Sequence, residues 1–402
     1  MQRNLKRGLM LSATLAAPAL IHNAAYANTL TGLVGQLYMA VDVQSRELVG
    51  FIPAVFRNTS MERAAIGQAV TYPTGGEGRS FDVTPAMQIP EPADVVLGSD
   101  SMVITKSKGV EFGWTGEEQR ALNNGVGYLS QQGMLFAAAL RTLTNEIEAD
   151  LALEAALNAS RAWGTPGETP FETDVKDSAQ LRKILDDNGA PVSGRAMLID
   201  TSAGANLRNL KNLTAVNEAG TQMTLRDGEL LPLHGFSVHE SAGIREHESS
   251  GVTGAATTAA GYPVGSRIIG ATGAANIRRG DVVTFAGDPH RYVVAAGGAG
   301  TLTLHAPGLR QPIAAGATAI TVLPSFTPNV GFTQDAIHLA ARAPALPTEG
   351  DAAIDRMTLT DPRSGLVYEV SLYAGYRKIR AEVAMAWGVK AVKPAHIAML
   401  MG

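Results

Sequence analysis

SQQGMLFAAALRTLTNEIEADLALEAALNASRAW, residues 130–163, is the stretch on which the fold turns. Leu140, Leu143, Ile147 and Leu151 recur at spacings of three and four, the period of one helix face. Glu146, Glu148, Asp150 and Glu154 are expected mostly on the other faces. The pattern predicts one helix from Ser130 to Trp163, about 45 Å long at roughly 1.5 Å per residue over about 30 residues. Gly164-Thr165-Pro166-Gly167 ends it. Such a strut is too long for a small compact domain.

Downstream, residues 244–330 are Gly-rich and weakly charged. Asp281 to Ala286, Arg291 to Ala295, Thr301 to His305 and Ala319 to Leu323 alternate in polarity between Gly or Pro residues, which predicts strands. A small closed barrel or sandwich is the economical way to hide their edges. The Gly-rich run from Gly251 to Gly261 reads as the linker leading in. This block splits two α/β segments. Before it come a helix from Ser178 to Asp187, a buried strand from Arg195 to Asp200, a helix from Ser202 to Leu213 and a strand from Gly235 to Glu240. After Pro328 come Met357 to Thr360, Val367 to Tyr373 and a last strand, Lys378 to Gly388.

Upstream of the strut, residues 28–60 carry helical patterning that Pro53 stops. Residues 66–113 change period. Val70 to Pro73, Phe81 to Val83 and Met102 to Phe112 read as strands of a long hairpin-like loop, punctuated by Gly75-Gly76, Pro85, Pro90 and Pro92. Thr115 with Glu118 forms a capping box, and Asn124-Gly125 closes the helix it opens.

At 402 residues the chain can hold two or three cores. Charged residues at 17% and a net charge of −4 exclude a polybasic nucleic-acid reader. The absence of Cys excludes disulfides, thiolate zinc sites and a Cys nucleophile. Mean hydropathy just above zero fits burial of surface against further copies of the chain. Arg3, Lys6 and Arg7, the apolar stretch Leu9 to Ile21 and Ala25-Tyr26-Ala27 have the grammar of a secretory signal. A basic arm or an over-long start is the alternative. Nothing later is long and apolar enough to span a bilayer.

Chemistry-bearing clusters are few. His239-Glu240 and Glu246-His247-Glu248 lack the second His that a helical zinc motif needs and read as solvated linker. Gly125-x-Gly127 lacks its third Gly and a preceding strand. Asp186-Asp187 read as exposed caps and Arg278-Arg279 as a solvated turn. The sequons at Asn58, Asn158 and Asn212 matter only in a secreted chain. Trp114, Trp163 and Trp387 are core or interface anchors. We assign no catalytic, cofactor-binding or metal residue, expect no cofactor, and read the chain as a structural protein rather than an enzyme.

The order of these parts resembles a tailed-bacteriophage major capsid (coat) protein, in the short-tailed-phage branch with an inserted β-barrel. The likeness is carried by several stretches: Ala205 to Leu210 with Asn217 to Gly220, Leu233 to Ser241, Ile277 to Gly287, Val330 to Arg342, and Trp387 to Pro394. It covers about residues 28–402. The resemblance implies an α+β lattice fold, shared with encapsulins and herpesvirus capsid floors. Its expected parts are an N-terminal arm (1–65, with 1–27 signal-like), an extended loop (66–113) and a peripheral domain with the spine helix (114–175). An axial α/β domain (176–243), the inserted barrel (244–328) and a return segment (329–402) follow. It implies self-assembly through hexamers and pentamers into an icosahedral virion shell around double-stranded DNA, bound without sequence specificity, with no membrane. Assembly in the host cytoplasm, with a scaffolding protein and a portal as partners, is expected with it. Residues 1–27 depart from that pattern. Some relatives cross-link through Lys and Asn; Lys106 and Lys108 lie in the extended loop, in a branch that generally does not cross-link. The alternative functions are an exported periplasmic or surface binding protein and an encapsulin-like compartment.

Overall fold

A computed structural model describes residues 49–74, 98–118, 128–211, 230, 232–298, 300–361 and 364–402. Its spine is the helix Tyr128–Leu157, 30 residues long. Phe136, Leu140, Leu143, Ile147, Leu151 and Ala155 form its buried stripe. They share one core with Val383, Met385 and Trp387 of the strand Lys378–Ala391. Each such side chain contributes roughly 1.5–3 kcal/mol by leaving water.

The helix is shorter than the sequence pattern predicts. Asn158 Nδ2 donates back to the Glu154 carbonyl at 2.7 Å, and Ser160 N–H donates to the Ile397 carbonyl at 2.8 Å. Residues Arg161–Trp163 then form a strand parallel to Ala398, Met399 and Leu400. Sheet pairing at long range captures an apolar tripeptide whose local pattern continued the helix.

Two sheets contribute residues to the core around this spine. In the first, Lys378–Ala391 is the long central strand. Lys106–Thr115 pairs with it from Trp387 back to Lys378. Its other edge takes Val367–Gly375 and then Ile337–Pro344. Ala353–Thr360 and Phe56–Ala64 complete the two ends. Residues 106–113 therefore belong to the body and not to a projecting loop. In the second, Arg161–Trp163, Ile397–Met401, Pro328–Thr333, Arg195–Ile199 and Ser237–Glu240 lie side by side. The helices Lys176–Asp187 and Thr201–Asn209 connect these strands, and Asp200 caps the second by accepting from Ser202 and Ala203 N–H. The first matches its predicted place; the second begins where expected but ends at Asn209, short of Leu213, where Leu210 turns extended. Pro328–Thr333 and Ile397–Met401 are fully buried strands without alternation, so period-2 reading passes over them.

The inserted block closes on itself. Val282–Phe285, Ala319–Val322, Ala255–Thr257, Ile268–Thr272, Thr301–Leu304 and Arg291–Gly298 pair in that order, and the last pairs again with the first. The ring buries Ile269, Val283, Phe285, Val294, Leu302 and Ile320 inside. Closure removes the edges that short strands otherwise expose. The Gly251 to Gly261 run is not only a linker: Ala255–Thr257 within it is a barrel strand, paired to Ala319–Val322. Its Ala and Thr side chains are too small to announce a strand.

At the start of the described chain, Phe51–Ala54 is a short helix and Phe56–Ala64 a strand, in place of the helical pattern expected to run to Pro53. Pro53 sits inside that helix's first turn, where its missing N–H is no loss. The expected strand Phe81 to Val83, the Asn124-Gly125 stop and residues 1–48 lie outside the described residues.

Candidate assembly surfaces

Residues Ala69–Thr74 and Gly98–Val103 form a two-stranded ladder that, among the described residues, pairs with no other strand. Its base is tied to the body at several points. Gly67 N–H donates to the Ile104 carbonyl and Ile104 N–H to that of Gln68. Tyr72 OH donates to Asp100 at 2.7 Å, and Lys390 Nζ meets the same carboxylate at 2.7 Å and the Ser101 carbonyl at 2.8 Å. Tyr72 also packs on the His338 ring at 4.7 Å between centroids. Lys390, then Tyr72 and Ser101 N–H, hold the Asp100 carboxyl down at about 2. Burial and the Asp100 charge push the Tyr72 phenol up.

The same body sheet turns sharply between Val367–Gly375 and Lys378–Ala391. Tyr376 at that turn is 91% exposed, and Ile354 on the adjacent strand is exposed too. On the spine helix, Met134, Leu135 and Leu153 face outward. On the barrel, Val264 and Ile268 do. Single exposed apolar residues are ordinary; here they mark both hairpin tip and helix back.

The barrel is fixed to the spine helix at its neck. His247 and Phe326 exchange backbone hydrogen bonds, and Ser249 donates to the Leu323 carbonyl at 2.6 Å. Asp281, fully buried, accepts from His247 Nε2 at 2.9 Å, from Arg278 N–H at 2.9 Å and from Ser250. Burial opposes its charge, but these bonds outweigh it and hold the carboxyl below its usual range. His305 Nε2 donates to the Leu157 carbonyl at 2.9 Å, satisfying the end of the spine helix. Arg279 reaches the Asn158 amide oxygen at 2.8 Å. Gly280, at φ +92, lies where a Cβ would strike Leu157 and His247, so the close docking of barrel on helix needs glycine there.

These facts correct several expectations. His247 is not solvated linker; its ring is part of the neck. Arg278-Arg279 lie exposed at a turn as expected, although Arg278 N–H donates to Asp281 and Arg279 reaches Asn158. Glu148 does not face solvent. It is 2% exposed and accepts from Gly50 and Phe51 N–H at 2.7 Å, from Ile52 N–H at 3.1 Å and from Ser241 Oγ at 2.6 Å. Burial pushes its carboxyl up, against the pull of those four donors. Asp186 and Asp187 are more than caps, pairing with the buried Arg195 at 2.7 Å and Arg161 at 3.2 Å.

The remaining candidates do not converge. Glu240 pairs with Arg208, while burial lowers the pKa of His239 beside it. Among the described residues no group of His, Asp and Glu is placed to hold a metal. Asn58 accepts from Arg342 at 2.8 Å and Asn158 is buried; Asn212 and Gly125-x-Gly127 lie outside the described residues. Lys106 and Lys108 pair with Asp150 and Glu146 of the spine helix, both at 2.7 Å. Trp387 is wholly buried, its indole N–H donating to Asp150 at 2.9 Å; Trp114 is buried and Trp163 partly so. No described helix is long and apolar enough to cross a membrane.

The sequence signal for Glu148 was available. With Thr144 it continues the buried stripe at a spacing of four, and Thr144 is itself buried, bonded to Tyr368 OH at 2.8 Å. Asp281 and His305 gave no such signal, because their partners lie far away in sequence.

No family model matches the chain, and no curated protein matches it in sequence. Among solved structures it is similar to capsid chains. One is from the capsid of the cyanophage P-SCSP1u, at a TM-score of 0.47 and 12% identity over 87% of this chain and 86% of that one. Another, from Mycobacterium phage Che8, has a TM-score of 0.43 and 14% identity over 83% and 84%. A virus-like particle from Pyrococcus furiosus has a TM-score of 0.41 and 10% identity over 92% and 98%. At scores of this size, the weight of any functional reading falls on the chain's own geometry.

Proposed function

We propose that copies of this chain tile an icosahedral shell, the virion capsid enclosing packaged double-stranded DNA, through hexamers and pentamers of itself. The observation that carries this reading is the ladder Ala69–Thr74 with Gly98–Val103, which extends neither described sheet and is braced at its base by Lys390, Tyr72 and His338. Its inner face packs on the body through Tyr72 and Met102, while Ala69, Thr71, Pro73 and Val103 leave the other face exposed. A second copy of the same tile can cover that face, and many modest contacts then add through closed symmetry. The spine helix braces the tile, and the barrel, residues 244–328 in this reading, is an insertion at its side. A weakly acidic chain suits the role, since a strongly basic wall would trap the DNA phosphates. Assembly would proceed in the host cytoplasm with a scaffolding protein and a portal.

Replacing residues 71–101 by a tight two-residue turn tests the proposal. The shortened chain keeps its circular dichroism, with a thermal midpoint lowered by the loss of the Tyr72, Asp100 and Ser101 contacts, but elutes as a small species, whereas the full chain elutes as large assemblies. Equal elution of both would remove the hairpin from the account. The signal-like residues 1–27 favour one other reading, an exported binding protein, which predicts a stable monomer beginning at Asn28.

A further inference from the structure

Phe56, His338 and Lys390 stand directly opposite one another on three adjacent strands of the first sheet, so their side chains share one face. The ribbon lies on that face, and Tyr72 and Asp100, themselves a cross-strand pair, point into it. The His338 ring touches both the Phe56 ring and the Tyr72 ring, at 4.7 Å between centroids in each case. Lys390 Nζ sits 5.9 Å from the Tyr72 ring centroid and reaches Asp100 at 2.7 Å and the Ser101 carbonyl at 2.8 Å. Beside this row Met102 packs with Ala340 and Ala386 of the body. The contact is poorly suited to a second positive charge. His338 Nδ1 is buried with no partner among the described residues. Phe56 brings no charge, and the Asp100 carboxylate is engaged by Lys390 and Tyr72. Burial first, and then Lys393 and Lys390, press the imidazole below its ordinary 6.5, against the charge and the carbonyl of Asp335 in the turn before the strand.

We propose that His338 is a proton-operated latch for the ribbon: neutral, it seats Tyr72, and protonated, it releases the ribbon from the body while the rest of the fold stays closed. Lifting the ribbon takes Tyr72 off the ring and lets water reach Nδ1, so the lifted state accepts the proton at the ordinary value. Below 6.5 the lifted state therefore binds the extra proton. Docking is strongest above that value and weakens as pH falls through it. The Asp100–Lys390 pair is not the trigger, because that carboxyl keeps its charge down to about 2. The latch works within one chain, so it stands whether or not copies assemble.

The chain has no Cys, so one introduced thiol reports the ribbon alone. Met102→Cys places it at a position 1% exposed beneath the ribbon, and Val103→Cys at one 45% exposed on the other face of the same strand. Each is labelled with dithiodipyridine in dilute full-length chain, and the ratio of the two rates cancels the reagent's own pH dependence. The ratio of buried to exposed thiol rises several-fold from about pH 7.5 to about pH 5, with circular dichroism unchanged. In His338→Phe, which keeps a ring against Phe56 and Tyr72 but takes no proton, the ratio stays level. His338→Gln is a second variant without titration and with the same expectation. A ratio that is level in the parent, that rises equally in both variants, or that rises only below about pH 4, in the range of carboxyl groups, would overturn the proposal.

Discussion

Glu148 and His305 show how single buried groups hold this fold together. The Glu148 carboxylate satisfies three backbone N–H groups of the chain entering at Gly50–Ile52 and the Ser241 hydroxyl at once. Glu148→Gln keeps the volume but turns an NH₂ group toward donors, so we expect a loss of about 2–4 kcal/mol, read as a fall in denaturant midpoint. His305 contributes to the pH dependence. Unfolded, its imidazole takes a proton near 6.5; in the fold, burial first, and Arg279 and Arg267 to a smaller degree, press that value down to about 4, against the Leu157 carbonyl. The unfolded chain therefore binds the extra proton between those values. Its contribution is complete above pH 6.5 and is lost as pH falls toward 4, by about 3 kcal/mol in all. His305→Gln keeps a donor for Leu157 but does not titrate. Its thermal midpoint falls less steeply between pH 6.5 and 4 than that of the parent chain.

At the scale of elements, legibility followed locality. The capping box at Thr115 and Glu118 was readable and formed, with Glu118 accepting from Thr115 N–H at 2.8 Å. The helix Lys176–Asp187, the strand Arg195–Ile199 and four barrel strands fell where periodicity put them. What escaped depends on distant partners. Phe56–Ala64 is a strand because Ile337–Pro344 lies beside it in parallel, and Ala255–Thr257 because the ring must close. The neck escaped for the same reason, since Asp281 gathers donors from residues 247, 250 and 278. Ring closure also makes a prediction. Residues 250–324 expressed alone fold into a β-rich unit with a cooperative thermal transition by circular dichroism. A featureless coil spectrum would mean that the body, through Arg161–Trp163 and Leu157, supplies the barrel's stability.

For the whole molecule, the spine helix packs on the strand Lys378–Ala391, and the outer face of the ribbon and the hairpin tip at Tyr376 are left exposed. The central claim is that contact with its own copies is what this chain is for. Electron microscopy of the purified full-length protein at high concentration tests it most directly. The account predicts closed shells of uniform diameter, or rings of five and six on the way to them; a field of single small particles at every concentration would contradict it.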